Sequence, residues 1–327
     1  MINIDDIKKR IGQFFILGFP GEEPSDEFLK FINQNMIGGV IFFKENCPDH
    51  SKTKSNINLI KDAISDPIIA VDQEGGRVTR VSGGDVEIAG ASDYGKKLGL
   101  KKFKEDYTKS IIALKSLGFN LNLAPVSDIF LNNENDCLKG RCFGATAEEV
   151  SSFIVEAVTI AKDNNIGCCL KHFPGLGASS VDPHHSVAHA DYDFDIWIGR
   201  EKIPFDAGIK AGVDMVMTTH LGLPNLDHNI VTGSEKIINS LLRSELKFNK
   251  ILITDDLLME GASSLGDVNQ RTVSAFNAGH DILLFGQDFK SSKAAFNNFC
   301  RAVEQENVRL ERLEESISRI TELKSKL

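Results

Sequence analysis

Residues 166–185 read IGCCLKHFPGLGASSVDPHH and join a short apolar run to a loop that is rich in ionisable side chains. The run Ile166–Leu170 has the length and the boundaries of a buried strand, which places Lys171 and His172 at its carboxyl end. The residues that follow show no helical or alternating pattern, because glycine, proline and serine recur among them. Loops that concentrate ionisable groups are more often sites than core, so this segment is the first candidate site.

Within the loop, a single residue separates Asp182 from His184. This spacing can place a carboxylate against an imidazole nitrogen, which fixes the tautomer and stabilises the imidazolium when it forms. The alternative is a solvated polar loop with an aspartate turn before Pro183. The choice between the two depends on which other residues accompany the pair.

The composition restricts the classes of protein that fit. Of the 327 residues, 42% are hydrophobic and 25% are charged, which is typical of a soluble globular enzyme. No segment approaches the ~18–20 consecutive apolar residues of a membrane span. The formal charge of -9 argues against nucleic acid or an anionic membrane as the main partner. The start of the chain does not resemble a signal peptide, so we expect the six cysteines to be free thiols in the cytoplasm.

Eight apolar runs recur along the chain and predict strands. They are Gln13–Gly18, Gly38–Phe43, Ile68–Asp72, Asn120–Ala124, Gly167–His172, Met215–Thr218, Ile251–Asp255 and Ile282–Phe285. Segments with helical periodicity lie between them, including Ser25–Asn35 and Ala147–Asn164, and an amphipathic stretch, Ser291–Leu327, ends the chain. Nearly continuous apolar strands that alternate with helices predict an α/β fold of the (β/α)8 TIM-barrel type, forming a single domain over residues 1–327. An open doubly wound sheet is the competing architecture, but the sequence has neither a Gly-x-Gly-x-x-Gly motif after the first strand nor a Walker loop.

In such a barrel, catalytic residues belong at the carboxyl ends of the strands. Ionisable residues follow the third, fifth, sixth and seventh predicted strands, in VDQEGGRVTR (71–80), Lys171-His172, MTTH (217–220) and ITDD (253–256). Asp255 or Asp256 could instead cap a helix. An insertion after the fourth strand carries Arg141, which could bind an anion or sugar hydroxyls, or could equally be a solvated surface arginine.

Taken together in this order, these motifs, with GRCFG (140–144) and KHFPGLG (171–177), resemble those of the family 3 glycoside hydrolases. Within that family the chain is most similar to the single-domain β-N-acetylglucosaminidases of bacterial cell-wall recycling. The resemblance implies that Asp255 is the nucleophile and that Asp182 and His184, on a mobile loop at about 173–190, form the general acid/base. It further implies a pocket for N-acetylglucosamine that is formed by Asp72, Arg80, Arg141, Lys171 and His172.

The chemistry of glycoside hydrolysis agrees with these roles. A retaining glycosidase needs one carboxylate that attacks the anomeric carbon and a separate proton donor for the leaving oxygen. A histidine with an ordinary pKa of ~6.5 can transfer protons in both directions near neutrality. The spacing favours His184 over its neighbour His185 as that donor. The chain departs from the usual family pattern at Leu176, where the loop normally carries a histidine near the pocket rim, and at Pro183, where the dyad normally carries a serine.

We therefore expect a retaining exo-β-N-acetylglucosaminidase that acts on peptidoglycan-derived muropeptides and needs no metal or cofactor. We expect it to be a cytoplasmic monomer or weak homodimer whose partner is a small carbohydrate, with no nucleic-acid or membrane partner. Three alternatives are a phosphorylase that releases the sugar to phosphate, a relative that binds sugar without cleaving it, and a metal-dependent barrel hydrolase. The metal ligands in the last would be Asp182, His184, His185, His189 and His220.

Overall fold

A computed structural model of the chain describes residues 9–179 and 187–327. Ten strands occur in these residues, and eight of them form one sheet. The strands are β1 Phe15–Leu17, β2 Gly39–Phe42, β3 Ile68–Val71, β4 Leu121–Asn122, β5 Gly167–Phe173, β6 Ala188–His189, β7 Met215–Thr218, β8 Leu221–Gly222, β9 Ile251–Ile253 and β10 Leu283–Phe285.

The eight-stranded sheet is parallel throughout and closes into a barrel. Its strand order is β10-β1-β2-β3-β4-β5-β7-β9. A parallel bridge between Ile253 and Ile282 joins the two edges, and the amide of Thr254 donates to the carbonyl of Ile282 at 3.1 Å. The predicted (β/α)8 barrel is therefore confirmed.

Each of the eight predicted apolar runs coincides with one barrel strand. Six of the strands are shorter than their runs, β7 matches its run, and β5 extends one residue beyond its run to Phe173. The shortening matters at the carboxyl ends, where Asp72 lies one residue beyond β3 and Asp255 lies two residues beyond β9. Both aspartates therefore stand on the loops at the mouth of the barrel, which is the face that carries catalytic residues in this fold.

The helices surround the barrel. They are α1 Asp26–Gln34, α2 His50–Ala63, α3 Ala91–Asp93, α4 Gly99–Leu117, α5 Ala147–Asp163, α6 Phe194–Gly199, α7 Lys202–Ala211, α8 Glu235–Ile237, α9 Val268–Ala278, α10 Phe289–Glu304 and α11 Leu310–Lys324. The hydroxyl of Ser25 accepts from the amide of Phe28 at 3.2 Å and begins α1, and a reciprocal capping box between Thr146 and Glu149 begins α5. Within the described ranges, no helix combines the length and the apolar character that a membrane crossing requires.

Phenylalanine side chains fill the layer between the barrel and the last helices. The ring of Phe14 lies 4.9 Å from that of Phe276, and Phe15 contacts Phe299 at 5.5 Å and Phe296 at 5.2 Å between ring centroids. All five rings are buried. This layer attaches α9 and α10 to β1, so the core is continuous from the barrel to its helical shell.

Three features of the chain were not predicted correctly or were missed. The amphipathic stretch Ser291–Leu327, whose division was not predicted, belongs to two helices, α10 and α11. The chain turns between them at Glu306, which has a positive φ of 60°. The helices α6 and α7 were not singled out, since α6 is short and Pro204 lies in the first turn of α7, where proline is tolerated. The strands β6 and β8 form a separate parallel pair of two residues each, too short to leave a periodic pattern.

A cluster of charged side chains closes the amino-terminal end of the barrel. Asp281, just before β10, is fully buried and accepts from Arg243, Arg312 and Arg319 at 3.2, 3.2 and 2.9 Å. Burial would raise the pKa of Asp281, but the three guanidinium groups outweigh it and lower the pKa to about 2. This end of the barrel therefore contributes to stability, while the opposite end is open to a ligand.

Candidate active site

The carboxyl ends of the strands surround a cavity of about 410 Å³. This volume lies in the range of about 300–1,000 Å³ that is typical of small-molecule sites. Of the eight residues predicted from the sequence, six line the cavity, namely Asp72, Arg80, Arg141, Lys171, His172 and Asp255. The other two, Asp182 and His184, lie outside the described residues.

Lys171 stands at the centre of the charged wall. Its ammonium group lies 2.6 Å from Oδ1 of Asp72 and 2.7 Å from Oε1 of Glu74, and its side chain is 3% exposed. Burial alone would lower the pKa of Lys171, but the two carboxylates reverse that effect and raise it. Lys171 is therefore a buried ammonium ion that binds together the two acidic residues of the loop after β3.

Arg141 forms a two-pronged ion pair with Glu74. Its Nε and Nη2 atoms each donate to the Glu74 carboxylate at 2.8 Å, and Nη1 donates to the carbonyl of Cys137 at 3.0 Å. Burial would raise the pKa of Glu74, but Arg141 and Lys171 hold it far below the usual value for a carboxyl group. The alternative of a solvated surface arginine is wrong, because the Arg141 side chain is only 9% exposed.

Two further arginines lie on the loop after β3. The Nη2 atom of Arg80 is 3.6 Å from Oδ2 of Asp72, and its guanidinium group lies over the ring of Phe43. Arg77 donates to the carbonyl oxygens of Asp136 and Cys137 in the insertion after β4. The loop after β3 thus supplies part of the cavity wall and also holds the insertion that carries Arg141.

His172 lies between Asp128 and Arg141. Its Nδ1 atom is 2.6 Å from Oδ2 of Asp128, and its Nε2 atom is 3.3 Å from Nη2 of Arg141. Asp128, which was not predicted, is fully buried and also accepts from the amide of Leu176 at 2.7 Å. The imidazole is therefore fixed on both sides, at the point where β5 leads into the candidate loop.

Asp255 and Asp256 are adjacent but have different surroundings. The amide of Asp255 donates to the carbonyl of Thr218 at 3.2 Å, which fixes this residue to the end of β7, and its partly exposed carboxylate reaches the cavity. Oδ1 of Asp256 accepts from the amides of Leu258 and Gly286, each at 2.9 Å. Neither aspartate caps an α-helix, since a turn follows them, and the helix-cap alternative is wrong. Asp256 also lines the cavity, but two amides hold its Oδ1 atom, whereas Oδ1 of Asp255 accepts from the amide of Asp256 at 2.9 Å. We therefore favour Asp255 as the residue that reacts with a bound molecule.

His220 lies two residues beyond β7 and contacts the backbone of Asp256. Its ring is fully buried, with Nδ1 2.7 Å from the hydroxyl of Thr232 and Nε2 2.9 Å from the carbonyl of Asp256. His189 is an exposed residue of β6. In residues 9–179 and 187–327 no three histidine, cysteine, aspartate or glutamate side chains are grouped to hold a metal ion. Three of the five ligands of the metal-site hypothesis, Asp182, His184 and His185, lie outside those ranges.

The described start of the candidate loop is bound to α6 and to the segment just before it. The Tyr192 hydroxyl donates to the carbonyl of Gly175 at 2.9 Å, and the Trp197 indole donates to that of Pro174 at 3.1 Å. Leu176 is fully buried and lines the cavity. Its predicted position near the rim is therefore wrong, because the residue forms part of the cavity wall instead.

Sequence reasoning missed two residues that organise the cavity, Glu74 and Asp128. Glu74 lies inside the motif that identified Asp72. It accepts from both Lys171 and Arg141, but these partners are distant in the sequence, so the motif alone did not single it out. Asp128 follows the fourth strand after a short irregular segment. The rule that catalytic residues follow barrel strands could have found it, had it been applied to this strand as well.

The sequence as a whole matches a known family. Residues 6–323 match the glycosyl hydrolase family 3 N terminal domain. The chain belongs to glycoside hydrolase family 3. The cavity at the mouth of the barrel is therefore the candidate active site of a family 3 enzyme, and the resemblance inferred from the motifs is confirmed.

Several known proteins are similar over most of the chain. It is 31% identical to an uncharacterized secreted glycosyl hydrolase of Arthroderma benhamiae, over 98% of this chain and 94% of that protein. It is 30% identical to a β-hexosaminidase of Methylobacillus flagellatus, over 86% of this chain and 83% of that protein. The structure of a family 3 β-N-acetylglucosaminidase from Paenibacillus superposes with a TM-score of 0.91 at 31% identity, covering 98% of this chain. This chain spans 62% of the length of the Paenibacillus chain.

Proposed function

We propose that this family 3 glycoside hydrolase is a retaining exo-β-N-acetylglucosaminidase, which removes a terminal β-linked N-acetylglucosamine. The observation that carries the proposal is that the Asp255 carboxylate shares one cavity with the charged wall of Asp72, Lys171 and Arg141. Such a wall suits a sugar, whose hydroxyl groups both donate and accept hydrogen bonds. The relatives named β-hexosaminidase and β-N-acetylglucosaminidase support the choice of sugar.

The charged wall offers complementary partners to the sugar. Asp72 can accept from hydroxyl groups, and Lys171 and Arg80 can donate to them. Hydrogen bonds in which one partner is charged are roughly twice as strong as neutral ones, so a few of them can fix the orientation of a sugar ring. Because Lys171 is already buried and paired, its ammonium is held in place before the substrate enters, which lowers the entropic cost of binding.

Asp255 is the proposed nucleophile. It stands at the carboxyl end of a barrel strand, its backbone is fixed to β7, and its partly exposed carboxylate reaches the cavity. In the proposed reaction the carboxylate attacks the anomeric carbon as the glycosidic oxygen leaves, and water later hydrolyses the glycosyl ester. Two inversions at the anomeric carbon give retention of configuration.

The proposed acid/base is His184, oriented by Asp182. The support is the spacing of the two residues in the sequence and the chemistry of imidazole near neutral pH. The described start of the same loop contributes Leu176 to the cavity wall, eight positions before His184. In the first step His184 protonates the leaving oxygen, and in the second it takes a proton from the attacking water.

The first experiment compares two chromogenic substrates, p-nitrophenyl β-N-acetylglucosaminide and p-nitrophenyl β-glucoside. We expect wild type to release nitrophenol from the N-acetylated substrate only. A chelator should not change the rate. In phosphate buffer the product should be free N-acetylglucosamine rather than a sugar phosphate. The isosteric variant Asp255→Asn should be inactive, whereas Asp62→Asn, on the outer helix α2, is the matched control and should retain activity. Activity on glucoside alone, or in Asp255→Asn, would contradict the proposal.

A second experiment isolates the acid step. Loss of general acid/base help typically costs about 10²- to 10⁴-fold in rate. We expect His184→Ala to lose about that factor on an alkyl glycoside, whose leaving group needs a proton, and much less on the nitrophenyl glycoside. His185→Ala is the matched control. An equal loss on both substrates, or a larger loss in His185→Ala, would assign the acid to another residue.

The natural substrate and the location are further parts of the proposal. We propose that the aglycone is a peptidoglycan-derived muropeptide and that the enzyme works in the cytoplasm. The support is the motif resemblance and the composition. The Arthroderma relative is described as secreted, so the location needs its own test. The aglycone is tested by comparing the hydrolysis rates on a muropeptide and on chitobiose. The location is tested by measuring the activity in separated cell fractions. A faster rate on chitobiose, or activity outside the cytoplasm, would contradict them.

A further inference from the structure

Asp128 makes three hydrogen bonds and reaches two elements of the site. Its Oδ2 atom accepts from the His172 backbone amide at 3.0 Å and lies 2.6 Å from the His172 ring atom Nδ1. Its Oδ1 atom accepts from the amide of Leu176 at 2.7 Å. The Asp128 side chain is completely buried, so these contacts are sheltered from water.

The contacts on the other side of the ring define which nitrogen carries the proton. Nη2 of Arg141 lies 3.3 Å from Nε2 of His172 and 2.8 Å from Oε1 of Glu74. A guanidinium nitrogen only donates, and Nη2 has two hydrogens, one for each of these neighbours. Nε2 of His172 must therefore be unprotonated, with its lone pair directed toward Arg141. The ring proton is on Nδ1, where it is donated to Asp128.

We propose that Asp128 is a positioning residue for sugar binding: it holds His172 in the Nδ1–H tautomer, so that Nε2 presents a lone pair to a substrate hydroxyl. The proposal rests on the proposed function, because it needs a ligand with hydroxyl donors. Since Nε2 is 3.3 Å from Arg141, at the long end for a hydrogen bond, a sugar hydroxyl can compete for the lone pair. His172 thus supplies an uncharged acceptor beside the charged side chains of Asp72, Lys171 and Arg141.

The same carboxylate connects the ring to the candidate loop. Leu176 contributes to the cavity wall, and its amide is bound by Asp128 while its carbonyl accepts from the Asn135 side chain at 3.1 Å. Loss of Asp128 would therefore release both the ring and one attachment of the loop. Asn135 offers the matched control. Asn135→Ala removes the other attachment of Leu176, and with it the bond from the amide of Leu138 to Oδ1 of Asn135 at 3.1 Å, but it leaves Asp128 in place beside the His172 ring.

The direct test is the ¹⁵N NMR spectrum of the histidine side chains. The His172 resonances are assigned by their absence in His172→Gln. We expect wild type to show a protonated Nδ1 and an unprotonated Nε2 for His172. The same pattern should appear in Asn135→Ala, while Asp128→Asn should move the proton to Nε2 or average the two forms. A protonated Nε2 in wild type, or an unchanged pattern in Asp128→Asn, would overturn the proposal. The wild-type spectrum alone is decisive if the variant does not fold.

The kinetic test uses the same variants on the N-acetylglucosaminide. Carboxylates that orient metal-binding histidines typically contribute about 10- to 100-fold, and by analogy we expect Asp128→Asn to lose kcat/KM by about that factor, chiefly through a higher KM. Asn135→Ala should change kcat more than KM, because it affects the loop and not the ring. An unchanged KM in Asp128→Asn would refute the binding role. If wild type cleaves no sugar substrate at all, the proposed function fails, but the NMR result still tests the role of Asp128.

Discussion

Replacement of Glu74 by glutamine tests how far the charged wall depends on one buried carboxylate. Glu74 accepts from Nε and Nη2 of Arg141, each at 2.8 Å, and from Lys171 at 2.7 Å. A glutamine at this position keeps one acceptor oxygen but turns an amide N–H₂ group toward donors. Lys171 retains its second carboxylate, Asp72, at 2.6 Å, so the loss falls mainly on Arg141.

Removal of one partner from a buried ion pair typically costs about 3–5 kcal/mol, because the other charge is left uncompensated. Since Lys171 keeps Asp72, we expect Glu74→Gln to lower the free energy of unfolding by about 3 kcal/mol, at the lower end of that range. The assay is urea denaturation at pH 7, followed by circular dichroism. Glu156→Gln is the matched control, since Glu156 pairs with Lys104 at 2.9 Å on the partly exposed helical surface. Exposed pairs are worth about 0–1 kcal/mol, so this variant should stay within that range.

The pH dependence of the free energy of unfolding provides a second test of Glu74→Gln. The pKa of folded Glu74 is depressed far below that of an unfolded glutamate, about 4.3. A depressed pKa means that the stabilisation is fully present above the unfolded pKa and is lost as the pH falls toward the folded value. The stability difference between wild type and Glu74→Gln should therefore be constant near neutrality and shrink below about pH 4. A loss no larger than that of Glu156→Gln, or a difference that grows in acid, would refute the reasoning.

Two other predictions concern the loop and the far end of the barrel. Gly175 has a φ of 131°, and a Cβ atom there would lie 2.5 Å from Cγ of the buried Glu201, so Gly175→Ala should lose about 1–3 kcal/mol of stability together with activity. Gly199→Ala is its control, because a Cβ there meets nothing within 4 Å, and a similar loss in both variants would contradict the steric explanation. Asp281→Asn should cost about 2–3 kcal/mol above pH 5, where the depressed pKa of about 2 has its full effect, and progressively less as the pH falls toward 2. Urea denaturation at several pH values measures this, and a pH-independent difference would show that ionisation of Asp281 is not the source.

The sequence predicted the barrel and much of its site because both follow from rules that act along one strand at a time. A buried parallel strand leaves a continuous apolar run, and its carboxyl end meets the other carboxyl ends at one mouth. Asp72, Lys171 and Asp255 each come at such an end, so their meeting in one cavity could be anticipated without any knowledge of contacts.

The remaining features depend on which side chains meet across the barrel, and spacing carries no signal for that. Glu74 and Arg141 are 67 positions apart, and Asp128 and His172 are 44 apart, yet both pairs are in direct contact. The burial of Leu176 depends in the same way on Asp128 and Asn135, which hold its backbone against the barrel. Similarly, the two adjacent aspartates Asp255 and Asp256 could be distinguished only when the amides around each were known.

The central claim is that the Asp255 carboxylate forms a covalent bond to the sugar. It can be tested by mass spectrometry with a ring-fluorinated β-N-acetylglucosaminyl fluoride. The ring fluorine slows both steps, and the fluoride leaving group speeds the first step only, so the glycosyl-enzyme accumulates. We predict that the intact protein gains the mass of one glycosyl unit, that the modified peptide carries it on Asp255, and that Asp255→Asn gains none. Turnover of the reagent without an adduct, or an adduct on Asp256, would contradict the account.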